Sequence, residues 1–206
     1  MKLKKGNLEL KDFNDGREYL IQKIEYDINH EYLKHDYDIT FEDFYDRLIS
    51  YGLSYDEVAA IVNYFSSFSY VINDALLRGE DGKYESQKNT LDKALKKLPC
   101  YEGILFRGID IDIFDNTIND VLKIFDNSEQ IGHWNMYLSS SDGLYSHTQR
   151  LQFIIKSKSA RNTFDLKKEN NSREFIFERN VDFHYVDAEI IKINNIEYLF
   201  VYIEEV

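Results

Sequence analysis

The chain has 206 residues, 43% of them hydrophobic and 15% aromatic, which is enough apolar surface for a substantial core and too much for intrinsic disorder. A formal net charge of -12 repels phosphate backbones and anionic lipid, so an electrostatic grip on DNA, RNA or membrane is disfavoured and only a local basic pocket is left for anions. Cys100 is the one cysteine, which excludes an internal disulfide and a thiolate cluster, so packing holds the fold and a reducing compartment suits it.

In chain order, Met1-Lys2-Leu3-Lys4-Lys5 is cationic, but Glu9, Lys11 and Asp12 break any apolar signal-peptide core. No run approaches the roughly 20 apolar residues of a bilayer span. The expected location is the cytoplasm, or a host cell into which the protein is delivered. From about 14 to 98 apolar residues recur at helical spacing. Thr40-Phe41-Glu42-Asp43 and Ser54-Tyr55-Asp56-Glu57 read as helix starts, the second being the better capping box. Beyond it Val58, Ile61, Val62, Phe65, Phe68, Ile72, Ala75 and Leu76 trace a stripe that stops near Gly79. A further helix is predicted over 91–98, ended by Pro99.

Short β-rich runs follow, with strands predicted at 104–106, 137–138, 152–155, 174–177, 183–186, 189–193 and 197–203, and a tight hairpin turn at Asn194-Asn195. Helices first and strands after give an α+β class, which argues against a doubly wound parallel sheet. Neither G-x-G-x-x-G nor a Walker loop is present. No linker or repeat divides the chain. Residues 1–53 read as an N-terminal helical segment of unassigned role and 54–206 as the main domain, the two forming one compact unit or lying side by side.

Several motifs carry little. The histidines show no zinc-ligand spacing, so no metal is expected. His133 beside Trp134 reads as a packed or capping residue. Asp36-Tyr37-Asp38 and Asp110-Ile111-Asp112 mimic a calcium loop without its turn glycine and closing glutamate.

Three segments, in order, resemble the Arg, Ser and Glu signature of toxin-type mono-ADP-ribosyltransferases: Leu105-Phe106-Arg107-Gly108, Leu138-Ser139-Ser140-Ser141, and Ser172-Arg173-Glu174-Phe175-Ile176-Phe177. Taken singly each is commonplace, a strand edge, a turn and a solvated strand end. A fourth segment adds weight: Tyr64 to Arg78 is similar to the Y…I-N-x-x-L-R helix of the clostridial exoenzyme and binary-toxin branch, to which bacteriophage enzymes are also related. The resemblance implies N-terminal helices followed by two packed, mostly antiparallel sheets around a cleft for NAD, which is the co-substrate.

It also implies roles. Arg107 would hold the pyrophosphate, for which a guanidinium fork is better suited than an ammonium. Glu174 would stabilise the oxocarbenium ion that develops as the nicotinamide–ribose bond breaks, and Ser139 would orient that carboxylate. Asn73, Arg78 and Tyr64 would contact the adenosine-diphosphate half. Over an unbroken helix Tyr64 and Asn73 stand about two and a half turns apart on opposite faces, so both reach one ligand only if the helix breaks, with Ser66-Ser67 the candidate.

Departures from the pattern matter as well. Ser140 replaces the middle threonine of the serine run, and Ser69 stands where many relatives place a tyrosine, with Tyr70 one step on. Ser172 replaces the Glu or Gln expected two residues before Glu174, on the loop expected to recognise the target, and its hydroxyl is a weak base. Three readings stand: ADP-ribose transfer to a macromolecule, foremost a host protein; NAD hydrolysis on the same scaffold; and a silent NAD-binding module.

Overall fold

The computed structural model describes residues 8–30, 45, 48–80, 82–111, 117–126, 131–164 and 173–206. The helix start at 40–43, the acidic pair at 36–38, Asp112 and Ser172 lie outside the described residues. Among the described residues the helices with defined bounds are α1 (Asn14–Asn29), α2 (Tyr55–Asn63), α3 (Ser69–Leu77), α4 (Glu85–Lys97) and α5 (Ile118–Asp126). The strands are β1 (Cys100–Ile109), β2 (Ile131–Trp134), β3 (Leu138–Ser141), β4 (Leu151–Phe164), β5 (Glu174–Phe177), β6 (Val181–Ile193) and β7 (Ile196–Glu205).

The capping box forms as its sequence requires. Ser54 Oγ accepts from the Glu57 amide at 3.3 Å, and Glu57 Oε2 accepts from the Ser54 amide at 2.7 Å. The same carboxylate takes Lys97 Nζ at 2.6 Å, tying the start of α2 to the end of α4. The stripe that follows does not run unbroken to Gly79. A wide turn at Tyr64–Phe68 separates α2 from α3, with Ser66 at φ -89 and ψ -172. Helix α4 starts at Glu85, ahead of the expected 91, because residues 85–90 are all polar and hide the pattern. Lys88 is fully buried there, its stem filling the place of an apolar side chain while Nζ meets Glu85 at 3.2 Å.

Among the described residues seven strands pair in the order β1-β3-β5-β4-β7-β6-β2, with β1 also pairing β4. All pairs are antiparallel except β4 with β7. The two expected sheets are joined through β4, whose 14 residues serve both: its first half lies between β1 and β7, and its far end reaches β5. The runs at 183–186 and 189–193 form one strand, irregular between Tyr185 and Asp187. Asn194 and Asn195 take φ of 48 and 66, the paired left-handed conformation of a two-residue hairpin turn. Sequence reading missed α5 and β2, although Ile118, Val121, Leu122 and Phe125 keep helical spacing and pack on the core.

Leu20 and Ile24 of helix α1, with Phe13 just before it, pack on a sheet face against Phe106, Ile154, Phe200 and Tyr202. Gly16 permits the approach, since a Cβ there would stand 2.9 Å from Ile104 Cγ2. Arg17 Nε meets Glu189 Oε1 at 2.6 Å, and Tyr202 Oη donates to the same oxygen at 2.6 Å. Residues before 54 thus contribute core to the same body. A second cluster lies under α2, α3 and α4 and includes Tyr137 and Ile176; a third gathers Phe153, Phe175, Phe177 and Val201 with α5.

Candidate active site

Strand register gathers the three signature residues. Phe106 pairs Ser141 across β1 and β3, and Ser141 pairs Glu174 across β3 and β5, so one row crosses all three strands. Arg107 is one step from that row and Ser139 two steps. Arg107, Ser139 and Glu174 line one cleft of about 940 Å³, with Tyr64, Asn73 and Tyr145. Much of the remaining lining is apolar and includes Val121, Phe125, Trp134 and Phe153.

Glu174 opens β5 and is held from its backbone outward. Its carbonyl accepts Thr163 Oγ1 at 2.9 Å, and the preceding Arg173 is fixed to Asp142 by its amide at 2.5 Å and its Nε at 2.8 Å. Tyr145 Oη donates to Glu174 Oε1 at 3.1 Å. The Arg107 guanidinium lies 5.3 Å from the centre of the Tyr145 ring, and its Nε is buried without a hydrogen-bond partner. A buried N–H left open at a cleft wall is costly unless an anion or water takes it, which makes Arg107 a ready acceptor-seeking donor.

On the opposite wall the helix breaks at Ser66. Its Oγ donates to the Asn63 carbonyl at 2.5 Å and accepts from the Phe68 amide at 3.2 Å, and Ser69 Oγ donates to the Ser66 carbonyl at 3.0 Å. These short hydroxyls satisfy the backbone groups that the interruption frees. The break swings Tyr64 and Asn73 to one side, with Asn73 Nδ2 3.5 Å from Tyr64 Oη. Tyr64 is buried, and burial pushes its phenol up, against the opposing influence of Ser139 and Asn73. Ser139 lies diagonally from Glu174 on the paired strands, two positions along from Ser141.

Asn73 lines the cleft, but its amide is engaged with a strand. Oδ1 accepts the Tyr137 amide at 3.1 Å and Nδ2 donates to the Tyr137 carbonyl at 3.0 Å. It clamps α3 to the start of β3, which a reading as a ligand contact alone does not capture. Arg78 lies apart from the other expected contacts. It is exposed at the end of α3, bonds Asp74 at 3.0 Å, and is not among the cleft-lining residues; one position earlier, Leu77 points into the cleft instead. His133 is exposed on β2 and bonded to Asp182 Oδ1 at 2.6 Å, apart from the cleft lining.

Sequence reasoning missed two tyrosines. Tyr137 donates to Asp92 Oδ1 at 2.5 Å, and Asp92 is held by Arg179 Nη2 at 2.7 Å; burial, then the adjoining carboxylate, pushes the Tyr137 phenol far up. Tyr145 follows the serine run by only four residues, the one hint available, because its partners are distant in the chain.

The ADP-ribosyltransferase exoenzyme family model matches residues 38–205, a span that contains all three signature residues and both tyrosines. The chain belongs to this family. A Mycobacterium avium (strain 104) protein named as the NAD(+)–arginine ADP-ribosyltransferase Mav is 26% identical over 143 residues, 67% of this chain. The chain spans 17% of that relative's length. C3larvin toxin of Paenibacillus larvae, an ADP-ribosyltransferase, superposes with a TM-score of 0.64 at 18% identity, covering 82% of this chain and 96% of that one. BECa, an ADP-ribosylating toxin from a C. perfringens binary enterotoxin solved with NADH, gives a TM-score of 0.63 at 15% identity over 80% of this chain and 46% of its own. These likenesses show the exoenzyme fold. Among the described residues no cluster of three or more His, Cys, Asp or Glu could hold a metal, and no helix is long and apolar enough to cross a membrane.

Proposed function

We propose that the chain is an NAD-dependent mono-ADP-ribosyltransferase that cleaves the nicotinamide–ribose bond of NAD and passes the ADP-ribose to a protein. The observation that carries this is the convergence of a guanidinium with an open buried donor, a serine and a carboxylate in a single cleft. The cleft volume falls within the ~300–1,000 Å³ of small-molecule sites. Family membership and the NADH held by BECa support the choice of dinucleotide.

Each residue has a chemical task on this reading. Arg107 binds the pyrophosphate by charge-assisted hydrogen bonds, through a guanidinium that the sheet already orients. Glu174 faces the ribose, where positive charge develops as nicotinamide leaves, and a fixed carboxylate stabilises that charge without reorganising. Ser139 and Tyr64 both line the cleft between its two walls. Asn73 keeps that wall in place through Tyr137.

The Mav relative is named for an arginine acceptor. Ser172 supplies a hydroxyl where an arginine modifier is expected to supply a carboxylate, and a hydroxyl does not take the proton of an arginine at neutral pH. Ser172 therefore favours a second reading, hydrolysis of NAD with water as acceptor.

Labelled NAD incubated with and without cell extract separates these. Release of nicotinamide with label on a protein supports transfer, and mass spectrometry then names partner and acceptor atom. Equal release without extract supports hydrolysis. No release under either condition rejects both and leaves the silent module.

A further inference from the structure

We propose that Tyr145 is a positioning residue that holds Arg107 and Glu174 at a fixed separation, its ring supporting the guanidinium and its hydroxyl the carboxylate. The inference rests on the reading of the cleft as an NAD-cleaving site and adds a residue to it.

The observations form a continuous chain. Arg107 stands over the Tyr145 ring, and the phenol donates to Glu174 Oε1 at 3.1 Å. One side chain thus bridges two groups of opposite charge on different strands, β1 and β5. Burial, with the Glu174 charge next, pushes the Tyr145 phenol well up, so at neutral pH it keeps its proton and can donate to a carboxylate.

The loop that carries Tyr145 is itself pinned. Fully buried Gln152 donates from Nε2 to the Gln149 carbonyl at 2.6 Å and the Ser146 carbonyl at 3.3 Å, and Tyr198 Oη donates to the His147 carbonyl at 2.8 Å. Asp142, at the near end, is bonded to Arg173, the residue before Glu174. The loop and the glutamate therefore move as one piece, which is what a preorganised carboxylate needs.

Ring and hydroxyl are separable by substitution. Tyr145→Phe keeps the ring under Arg107 and removes the donor to Glu174, so KM for NAD stays within about twofold while kcat falls about 10- to 100-fold, the size of effect that a small misplacement of a reacting group produces. Tyr145→Leu removes both and also raises KM, by about 2- to 30-fold, the span of a cation–π contact. Placed in a Glu174→Gln background, Tyr145→Phe costs little further, because its effect acts through the carboxylate already lost.

The measurement is steady-state nicotinamide release for the wild type, the two Tyr145 variants, Glu174→Gln and the double variant, with thermal melting to show that each is folded. A Tyr145→Phe protein with the wild-type kcat overturns the proposal. So does a loss repeated in full in the Glu174→Gln background, which is the mark of a general packing defect. If Tyr145→Phe fails to fold, the Leu variant and its KM-to-kcat split decide the question in the same way. A folded wild-type protein that releases no nicotinamide ends the functional reading and this proposal together, whereas an active wild type with an indifferent Tyr145 ends only the latter.

Discussion

On one wall of the cleft Arg107, Ser139 and Glu174 sit on adjoining strands, so their spacing is the spacing of a hydrogen-bonded ladder. On the other wall Tyr64 and Asn73 come from one interrupted helix and are held by side-chain bonds at Ser66 and Tyr137. The strand wall cannot shift without breaking the sheet. The helical wall can be loosened one bond at a time, so the charges that do the chemistry and the surface that shapes the cleft should respond differently to substitution.

The sharpest test of that contrast is Glu174→Gln on the strand wall. It should lower kcat for nicotinamide release about 10²–10³-fold, the usual cost of removing an electrostatic stabiliser, with the melting temperature unchanged. Arg107→Lys keeps the charge but not the fork, and should raise KM for NAD about 10- to 100-fold, as expected when hydrogen bonds to a charged group are lost. Titration calorimetry with NAD would show the same loss as binding. On the helical wall Asn73→Ala strips both Tyr137 backbone groups of their partner and should cost about 1–3 kcal/mol in denaturant unfolding, with a milder effect on turnover. A Glu174→Gln protein that melts early, or an Asn73→Ala protein of unchanged stability, would erase the distinction between the walls.

The smallest effects lie farther out, at the capping box of α2. Ser54→Ala should cost about 1 kcal/mol of stability and leave nicotinamide release as it was. Burial raises the Glu57 carboxyl, but the bonds from Lys97 and Ser54 outweigh it and hold it below its ordinary value. A carboxyl so lowered adds stability above its unfolded pKa and loses it as pH falls through the lowered folded value. Glu57→Gln should therefore reduce the acid-side decline in melting temperature, seen in melts taken from neutral pH downward.

The strand wall was the more legible because its chemistry travels in short segments. Phe106-Arg107, the serine run and Glu174 before Phe175-Ile176-Phe177 are each local, and β-alternation alone sends Glu174 and Phe175 to opposite sides. The break at Ser66 was legible too, from helix geometry, since Tyr64 and Asn73 cannot otherwise share a ligand. The place of Arg78 was not legible, because a match in sequence spacing says nothing of which side of a helix end faces the cleft; here it faces solvent beside Asp74. Polar residues at 85–90 hid the first turns of α4, and the single-turn spacing of α5 was lost among acids and asparagines.

Local periodicity, caps and turns determined most of the helices and strands, α5 and β2 excepted, because those depend on neighbours within a few residues. They also determined that an arginine, a serine and a glutamate of the right kinds were present in the right order. Only the tertiary structure decided that α1 belongs to the sheet's core, that Asn73 clamps a strand, and that Tyr145 bridges Arg107 to Glu174. Those depend on strand register and on contacts between residues tens of positions apart, and packing fixes them only when the whole chain has closed.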